Sequence, residues 1–203
     1  MIALTDLQTD ALAEVFNVGA GQAAASLSEI VGDEVLLSVP RIAFYPRNAL
    51  NANVLALQGD RIGAVRQDFS GPFSINASLL FTEDKALEIV REMIGSQVSV
   101  DDLVDFEHEA MCELGNIILN ACMSAVANML DIELDSTLPE YSVDHMDTVI
   151  HELTGDLGQP VVLVLHIDLT IEKRETDGCL VFLLSSASFH ELIAAIDRFL
   201  GRI

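Results

Sequence analysis

Two stretches of this sequence repeat one pattern of side chains that could do chemistry: an acidic residue, a glutamate four positions later, an asparagine three positions after that, and a proline beyond 22 further residues. The two copies are Asp10, Glu14, Asn17 and Pro40, and Glu109, Glu113, Asn116 and Pro139. From average residue usage, the probability that Glu-x-x-Asn-x22-Pro occurs by chance is on the order of 10⁻⁴ at any one position. Carboxylates pair with cationic groups, and a carboxamide both donates and accepts hydrogen bonds, so the pattern suits a polar recognition or reaction site.

Both copies lie on long helices that the sequence predicts. Thr5 and Gln8 form a capping box that begins the first helix, in which each side chain satisfies a free backbone N–H of the first turn. This helix is expected to run to about Val31 and to stop at Gly32. The second helix is expected from about Asp105 to Leu130.

Helical spacing places each copy on one exposed stripe. At about 100° per residue, the four residues of the first stripe fall within a sector of about 60°; they are Asp10, Glu14, Asn17 and Gly21. The opposite side is apolar and carries Ala11, Leu12, Val15, Phe16, Gly19, Ala23 and Leu27, of which Gly19 is expected to allow close helix packing. The second helix shows the same stripe, with Asn120 in the place of Gly21. A solvated face explains one such stripe, but its repetition favours a functional surface.

The remaining elements also occur twice, in the same order. Strands are expected at 34–39, 53–57, 61–69 and 73–81, then a helix from Glu83 to Ile94 that ends at Gly95, and an acidic linker from Ser96 to Asp105. After the second long helix, strands are expected at 132–137, 161–171 and 178–185, and a last helix from about Ser188 to Leu200. This order indicates an internal duplication of about 99 residues. We therefore expect one domain, 1–203, made of two pseudo-repeats, about 1–100 and about 101–203.

Composition excludes several functions. The chain has 32 acidic and 10 basic residues and a net charge of −22, which repels nucleic-acid phosphates and anionic membranes. We find no secretory signal and no apolar run of the roughly 18–20 residues that a spanning helix needs. Three cysteines, Cys112, Cys122 and Cys179, favour a reduced, cytoplasmic location. The histidines show no ligand spacing beyond His108 with Cys112, so no metal site is expected.

The doubled pattern resembles the signature of the CheC/CheX/FliY family of chemotaxis phosphatases. The resemblance covers essentially the whole chain. It implies an α/β (α+β) fold with internal pseudo-twofold symmetry, in which the two long motif helices lie on one side of a continuous sheet. It also implies that the chain dephosphorylates CheY-P, a phosphorylated response regulator, and that it binds the receptor deamidase CheD.

The same resemblance implies roles for the pattern residues. Asn17 and Asn116 would position a water in line with the phosphorus of an aspartyl phosphate, because an amide oxygen accepts a water proton. Glu14 and Glu113 join them in the site and would anchor a lysine of the response regulator, since a carboxylate is repelled by a phosphoryl group. Asp10 and Glu109 would contribute to partner binding, and Pro40 and Pro139 would fix the chain beside the helices. The protein needs no cofactor of its own, and Mg²⁺ is expected on the response regulator.

Two departures and one alternative remain open. Glu109 is longer than the usual Asp or Ser of the family pattern, and Asn120 adds bulk where the first copy has Gly21, so the site at Asn17 matches the family pattern better than the site at Asn116. The alternative is a non-catalytic docking module that binds CheY-P or CheD without hydrolysis.

Overall fold

The two motif helices are the longest elements of the chain, α1 (Asp6–Val31) and α4 (Val100–Leu130). The computed structural model describes residues 4–94, 100–155, 161–171 and 174–201. The predicted capping box is present: the Thr5 backbone N–H donates to Gln8 Oε1 at 2.9 Å, and the Gln8 N–H donates to Thr5 Oγ1 at 3.2 Å. Gly32 ends α1 in the left-handed conformation, with φ of 78°, as expected.

The predicted acidic linker is wrong in its second half. Helix α4 begins at Val100, so the acidic residues of 101–105 belong to its first turns. Residues 96–99 and Gly95 lie outside the described residues.

An antiparallel sheet forms the centre of the fold. Its strands in the described part of the chain are β1 (Val35–Pro46), β2 (Arg61–Ser70), β3 (Ser74–Thr82), β4 (Asp135–Ser136), β5 (Glu140–His145), β6 (Val161–Ile171) and β7 (Arg174–Leu184). The strand order is β1-β6-β7-β3-β2, and β4 and β5 both pair with β2 at the far edge. At the offset of 99 residues, β1 corresponds to β4 and β5, β2 to β6, and β3 to β7. Exchanging each strand for its counterpart gives the same order, read from the opposite edge of the sheet. The sheet therefore has the pseudo-twofold symmetry that the resemblance implied.

Helices cover both faces of the sheet. On one face α1 and α4 share a core with α3 (Glu83–Ile94) and α6 (Ser186–Leu200). On the other face a smaller core is closed by α2 (Ala52–Leu55) and α5 (Met146–Gly155). The two motif helices thus lie together on one side of the sheet, as the resemblance implied.

Local predictions failed mainly where the apolar runs are short. The expected strand at 53–57 is the helix α2, which the Asn51 side chain caps by accepting the Val54 N–H at 3.1 Å. The expected strand at 132–137 is paired only at Asp135–Ser136, and β5 and α5 occupy a region for which no helix or strand was predicted. Short apolar runs fit a buried helix and a strand equally well, so periodicity alone does not distinguish them.

Close packing of α1 on α4 depends on Gly19, as predicted. A Cβ atom at this position would lie 2.7 Å from the Cys122 Cα, so the two helix backbones approach too closely for any side chain. By length and composition, the segment Phe106–Leu130 of α4 is apolar enough to cross a membrane, contrary to the expectation from sequence. Its apolar side packs in the core, which accounts for that composition.

Candidate functional site

The first stripe is exposed along α1, as predicted. Asp10, Glu14, Asn17 and Gly21 all face solvent. On the opposite side Leu12, Phe16, Gly19, Ala23 and Leu27 are buried. Among the described residues, no ion pair joins the Asp10 or Glu14 carboxylate to a cation of the chain. Both carboxylates are thus available to a partner.

Asn17 is tied to the sheet through its side-chain oxygen. Its Oδ1 accepts a hydrogen bond from the Val39 backbone N–H at 3.1 Å. Val39 lies in an irregularity of β1, where the pairing with β6 shifts between Ser38 and Arg41. An irregularity of this kind leaves backbone groups outside the ladder, and buried backbone donors need partners. The Asn17 side chain supplies the acceptor.

This hydrogen bond determines how the Asn17 carboxamide is oriented. A backbone N–H only donates, so the atom facing it must be the oxygen, and the amide nitrogen must point away. The Nδ2 protons and the second lone pair of Oδ1 are then left for a molecule outside the protein. The carboxamide can therefore donate and accept hydrogen bonds at the same exposed point.

The second stripe differs in detail. Glu109 and Glu113 are exposed, but Asn116 and Asn120 are half-buried. Asn120 Nδ2 lies 2.8 Å from Asn116 Oδ1 and 2.8 Å from the Asn116 backbone oxygen. It also lies 3.4 Å from Oε1 of Gln67, a buried residue of β2. The oxygen of Asn116 thus accepts a hydrogen bond from a side chain rather than from a strand.

The two motif prolines occupy similar irregularities of the sheet. Pro40 lies inside β1 and not at its end, so the predicted end of this strand at residue 39 is wrong. Pro139 lies between β4 and β5, where residues 137–139 face only two residues of β2. Proline lacks the N–H that a ladder needs and is tolerated on edge strands at such positions.

The two sites lie at opposite edges of the sheet. Asn17 contacts β1, which forms one edge, whereas the network around Asn116 contacts β2 beside β4 and β5 at the other. A groove of about 1020 Å³ begins at Gly21, one turn beyond Asn17, and runs between α1 and β1. Its rim carries the carboxylates of Glu34, Asp168 and Asp177. This groove was not predicted from the sequence.

Other candidate groups fit structural roles. Burial raises the pKa of the Cys112 thiol, which lies 3.9 Å from His108 Nδ1, so this cysteine stays protonated at neutral pH. Burial likewise raises the pKa of Cys122 to about 12. His166 Nε2 donates to the Val54 oxygen at 3.0 Å, and burial lowers the pKa of this histidine. In the described ranges, no group of three or more His, Cys, Asp or Glu side chains is placed to hold a metal ion.

The contacts of Asn120 were not predicted from the sequence, in which this residue is a departure from Gly21. The signal was present, because residues four apart on a helix are neighbours. The partners across the sheet, Gln67 and the Val39 N–H, left no comparable signal, since they lie 53 residues from Asn120 and 22 residues from Asn17 respectively.

Comparisons with known proteins agree with this architecture. No family model matches the chain. It is 27% identical over 207 residues to the CheY-P phosphatase CheC of Bacillus subtilis (strain 168), covering 93% of each chain. Its fold is similar to that of Thermotoga maritima FliY, with a TM-score of 0.76, 16% identity, and coverage of 98% of this chain and 100% of that one. The FliM middle domain from H. pylori also shares the fold, with a TM-score of 0.57, 10% identity, and coverage of 95% and 99%. The relative matched over 93% of its length confirms the resemblance of this chain to the CheC/CheX/FliY family that the doubled motif predicted.

Proposed function

We propose that this protein is a chemotaxis phosphatase that hydrolyses the aspartyl phosphate of a phosphorylated CheY-type response regulator. The observation that carries the proposal is the stripe of carboxylates ending at an oriented carboxamide, present on both α1 and α4. A relative that matches over nearly the full length bears the name CheY-P phosphatase. A cytoplasmic location, which such a substrate requires, is part of the proposal.

The carboxamide supplies the chemistry in this proposal. An aspartyl phosphate is an activated acyl phosphate, so catalysis needs chiefly a water placed in line with the phosphorus. The free lone pair of Asn17 Oδ1 accepts a hydrogen bond from that water and so aims its oxygen at the phosphorus, while Nδ2 donates a hydrogen bond to a phosphoryl oxygen. Because Oδ1 is already held by Val39, the amide plane is fixed before the partner arrives. Asn116 has the same role in the second site.

The carboxylates provide docking and not phosphate contacts. Glu14 lies one turn from Asn17, at a distance along α1 that suits a lysine beside the phosphorylation site of the partner. Glu113 is placed in the same way on α4, and Asp10 and Glu109 extend the acidic stripe by a further turn. Mg²⁺ belongs to the response regulator in this proposal. A CheD-type deamidase is a second proposed partner, by family resemblance alone.

The test is loss of phosphate from the phosphorylated response regulator in the presence of substoichiometric protein. Wild type should clear many equivalents, Asn17→Ala and Asn116→Ala should each lose part of the rate, and the double variant should fall to the rate of autohydrolysis. Asn128→Ala, an exposed change on α4 away from the stripe, is the matched control and should equal wild type. A double variant as fast as wild type would exclude the proposed mechanism.

A docking module without catalysis is the second candidate. The hydrogen bond from the Val39 N–H gives Asn17 a structural role in β1 that does not require catalysis. In that case the protein would bind the phosphorylated partner stoichiometrically, and adding it would not raise the rate of phosphate release above that of autohydrolysis.

A further inference from the structure

We infer that Asn120 is a positioning residue of the second site, which orients the Asn116 carboxamide by donating to its side-chain oxygen, as the Val39 backbone N–H does for Asn17. This inference rests on the proposed function. It assigns a role to a residue that the motif does not include, because Asn120 supplies in the second site the donor that the strand supplies in the first.

The strand contact of the first site has no described equivalent in the second. At an offset of 99 residues, Leu138 is the counterpart of Val39, but Leu138 is 87% exposed whereas Val39 is 5% exposed. The chain before Pro139 therefore runs differently from the chain before Pro40. Asn120 lies where the first helix has Gly21. The second half, which lacks the strand contact of the first, therefore has an additional side-chain donor on its motif helix.

A series of hydrogen bonds fixes which way Asn120 points. Nε2 of the buried Gln67 donates to the Thr137 backbone oxygen at 2.8 Å, and a backbone oxygen only accepts. Oε1 of Gln67 must therefore face the other way, where Asn120 Nδ2 approaches it at 3.4 Å. With its nitrogen directed there, Asn120 also donates to Asn116 Oδ1 at 2.8 Å. The Asn116 backbone oxygen, 2.8 Å from Asn120 Nδ2, requires the same direction because it only accepts. The orientation of Asn116 is thus set through the Asn120 amide.

The outcome is the same in both sites although the donors differ. In each site the side-chain oxygen of the motif asparagine accepts one hydrogen bond from the protein, which leaves its Nδ2 protons and one lone pair for water and phosphoryl oxygens. Asn120→Asp removes the donor and places an acceptor opposite Asn116. The Asn116 amide would then rotate by about half a turn to donate, and its outward atoms would be exchanged.

The experiment is made in the full chain with Asn17→Ala, so that turnover reports on the second site alone. Into this background we would introduce Asn120→Ala, which removes the donor, and Asn120→Asp, which reverses it. Misplacing a reacting group by about 1 Å costs up to 10²-fold. We therefore expect kcat to fall about tenfold or more in both variants, and KM to change much less in Asn120→Ala. Asn128→Asp makes the same charge change at an exposed position of α4 and should leave both parameters unchanged.

A second measurement does not depend on catalysis. The side-chain NH₂ resonances of Asn116 in a ¹H–¹⁵N spectrum should shift strongly in Asn120→Asp and remain in place in Asn128→Asp. Unchanged resonances in Asn120→Asp, or an unchanged kcat in both Asn120 variants, would overturn the inference. If wild type itself shows no turnover, the proposed function fails, and the resonances alone decide whether Asn120 orients Asn116.

Discussion

Asn17 contributes to folding through one atom and is available for function through another. Its oxygen accepts the Val39 N–H in the irregularity of β1, and its nitrogen faces solvent. A change to alanine removes both contributions together, so loss of activity in Asn17→Ala alone does not separate them. Aspartate separates them because it keeps an acceptor for the backbone N–H and loses the amide protons.

We predict that Asn17→Ala lowers the free energy of unfolding by about 1 kcal/mol, the usual contribution of one hydrogen bond. Asn17→Asp should stay within about 0.5 kcal/mol of wild type. In an Asn116→Ala background both variants should lose turnover, because neither presents an amide to the water. Urea denaturation and phosphate-release assays measure the two effects. Turnover retained by Asn17→Asp would show that the amide protons are dispensable.

At the scale of elements, the two motif helices are positioned by one contact that tolerates no side chain. The backbone of α1 at Gly19 lies against α4 at Cys122, and this approach sets how both stripes stand relative to the sheet. Gly21, two residues further along α1, has open space around its position for a Cβ atom. The same substitution at these two glycines should therefore have opposite effects on stability.

We predict that Gly19→Ala lowers the free energy of unfolding by about 1–3 kcal/mol, because the helices must move apart to admit the methyl group. Gly21→Ala should raise it by about 0.5–1 kcal/mol, since alanine restricts the unfolded chain and favours the helix. Chemical denaturation of the two variants beside wild type measures both. Equal effects of the two substitutions would contradict the close contact seen at Gly19.

At the scale of the whole molecule, the strong negative charge acts on every cationic partner. The chain carries a net charge of −22, and each stripe adds two exposed carboxylates at the proposed docking surface. Attraction between exposed charges weakens when salt shortens the screening length from about 30 Å at 0.01 M to about 10 Å at 0.1 M. The two sites lie at opposite edges of the sheet, and salt should weaken the attraction of a cationic partner equally at both.

We predict that KM for the phosphorylated response regulator rises severalfold as salt increases over this range, whereas kcat changes little. Combining Glu14→Gln with Glu113→Gln should raise KM at low salt and flatten its dependence on salt. Glu29 is an exposed residue of α1 outside the stripe, so Glu29→Gln controls for the loss of charge itself. This variant should keep the wild-type dependence of KM on salt. Steady-state kinetics at several salt concentrations measure these effects. The same salt dependence in the doubly substituted protein would exclude docking through these two carboxylates.

The sequence by itself determined the features that depend on neighbours a few residues apart. The capping box of Thr5 and Gln8, the stop at Gly32 and the stripe of Asp10, Glu14 and Asn17 all follow from helical spacing, and the structure contains each of them. The duplication was also visible, because both halves carry the pattern at one offset. Such features are readable because their energies come from local contacts.

Only the tertiary structure decided which atoms the site presents. The hydrogen bonds that tie the two asparagine sites to the sheet join residues 22, 53 and 70 positions apart, so no local pattern reports them. The same holds for α2 and α5, which became helices against one face of the sheet, and for the placement of the two sites at opposite sheet edges. A buried polar group takes whichever partner the packed chain brings within reach, and that partner is known only after the strands have paired.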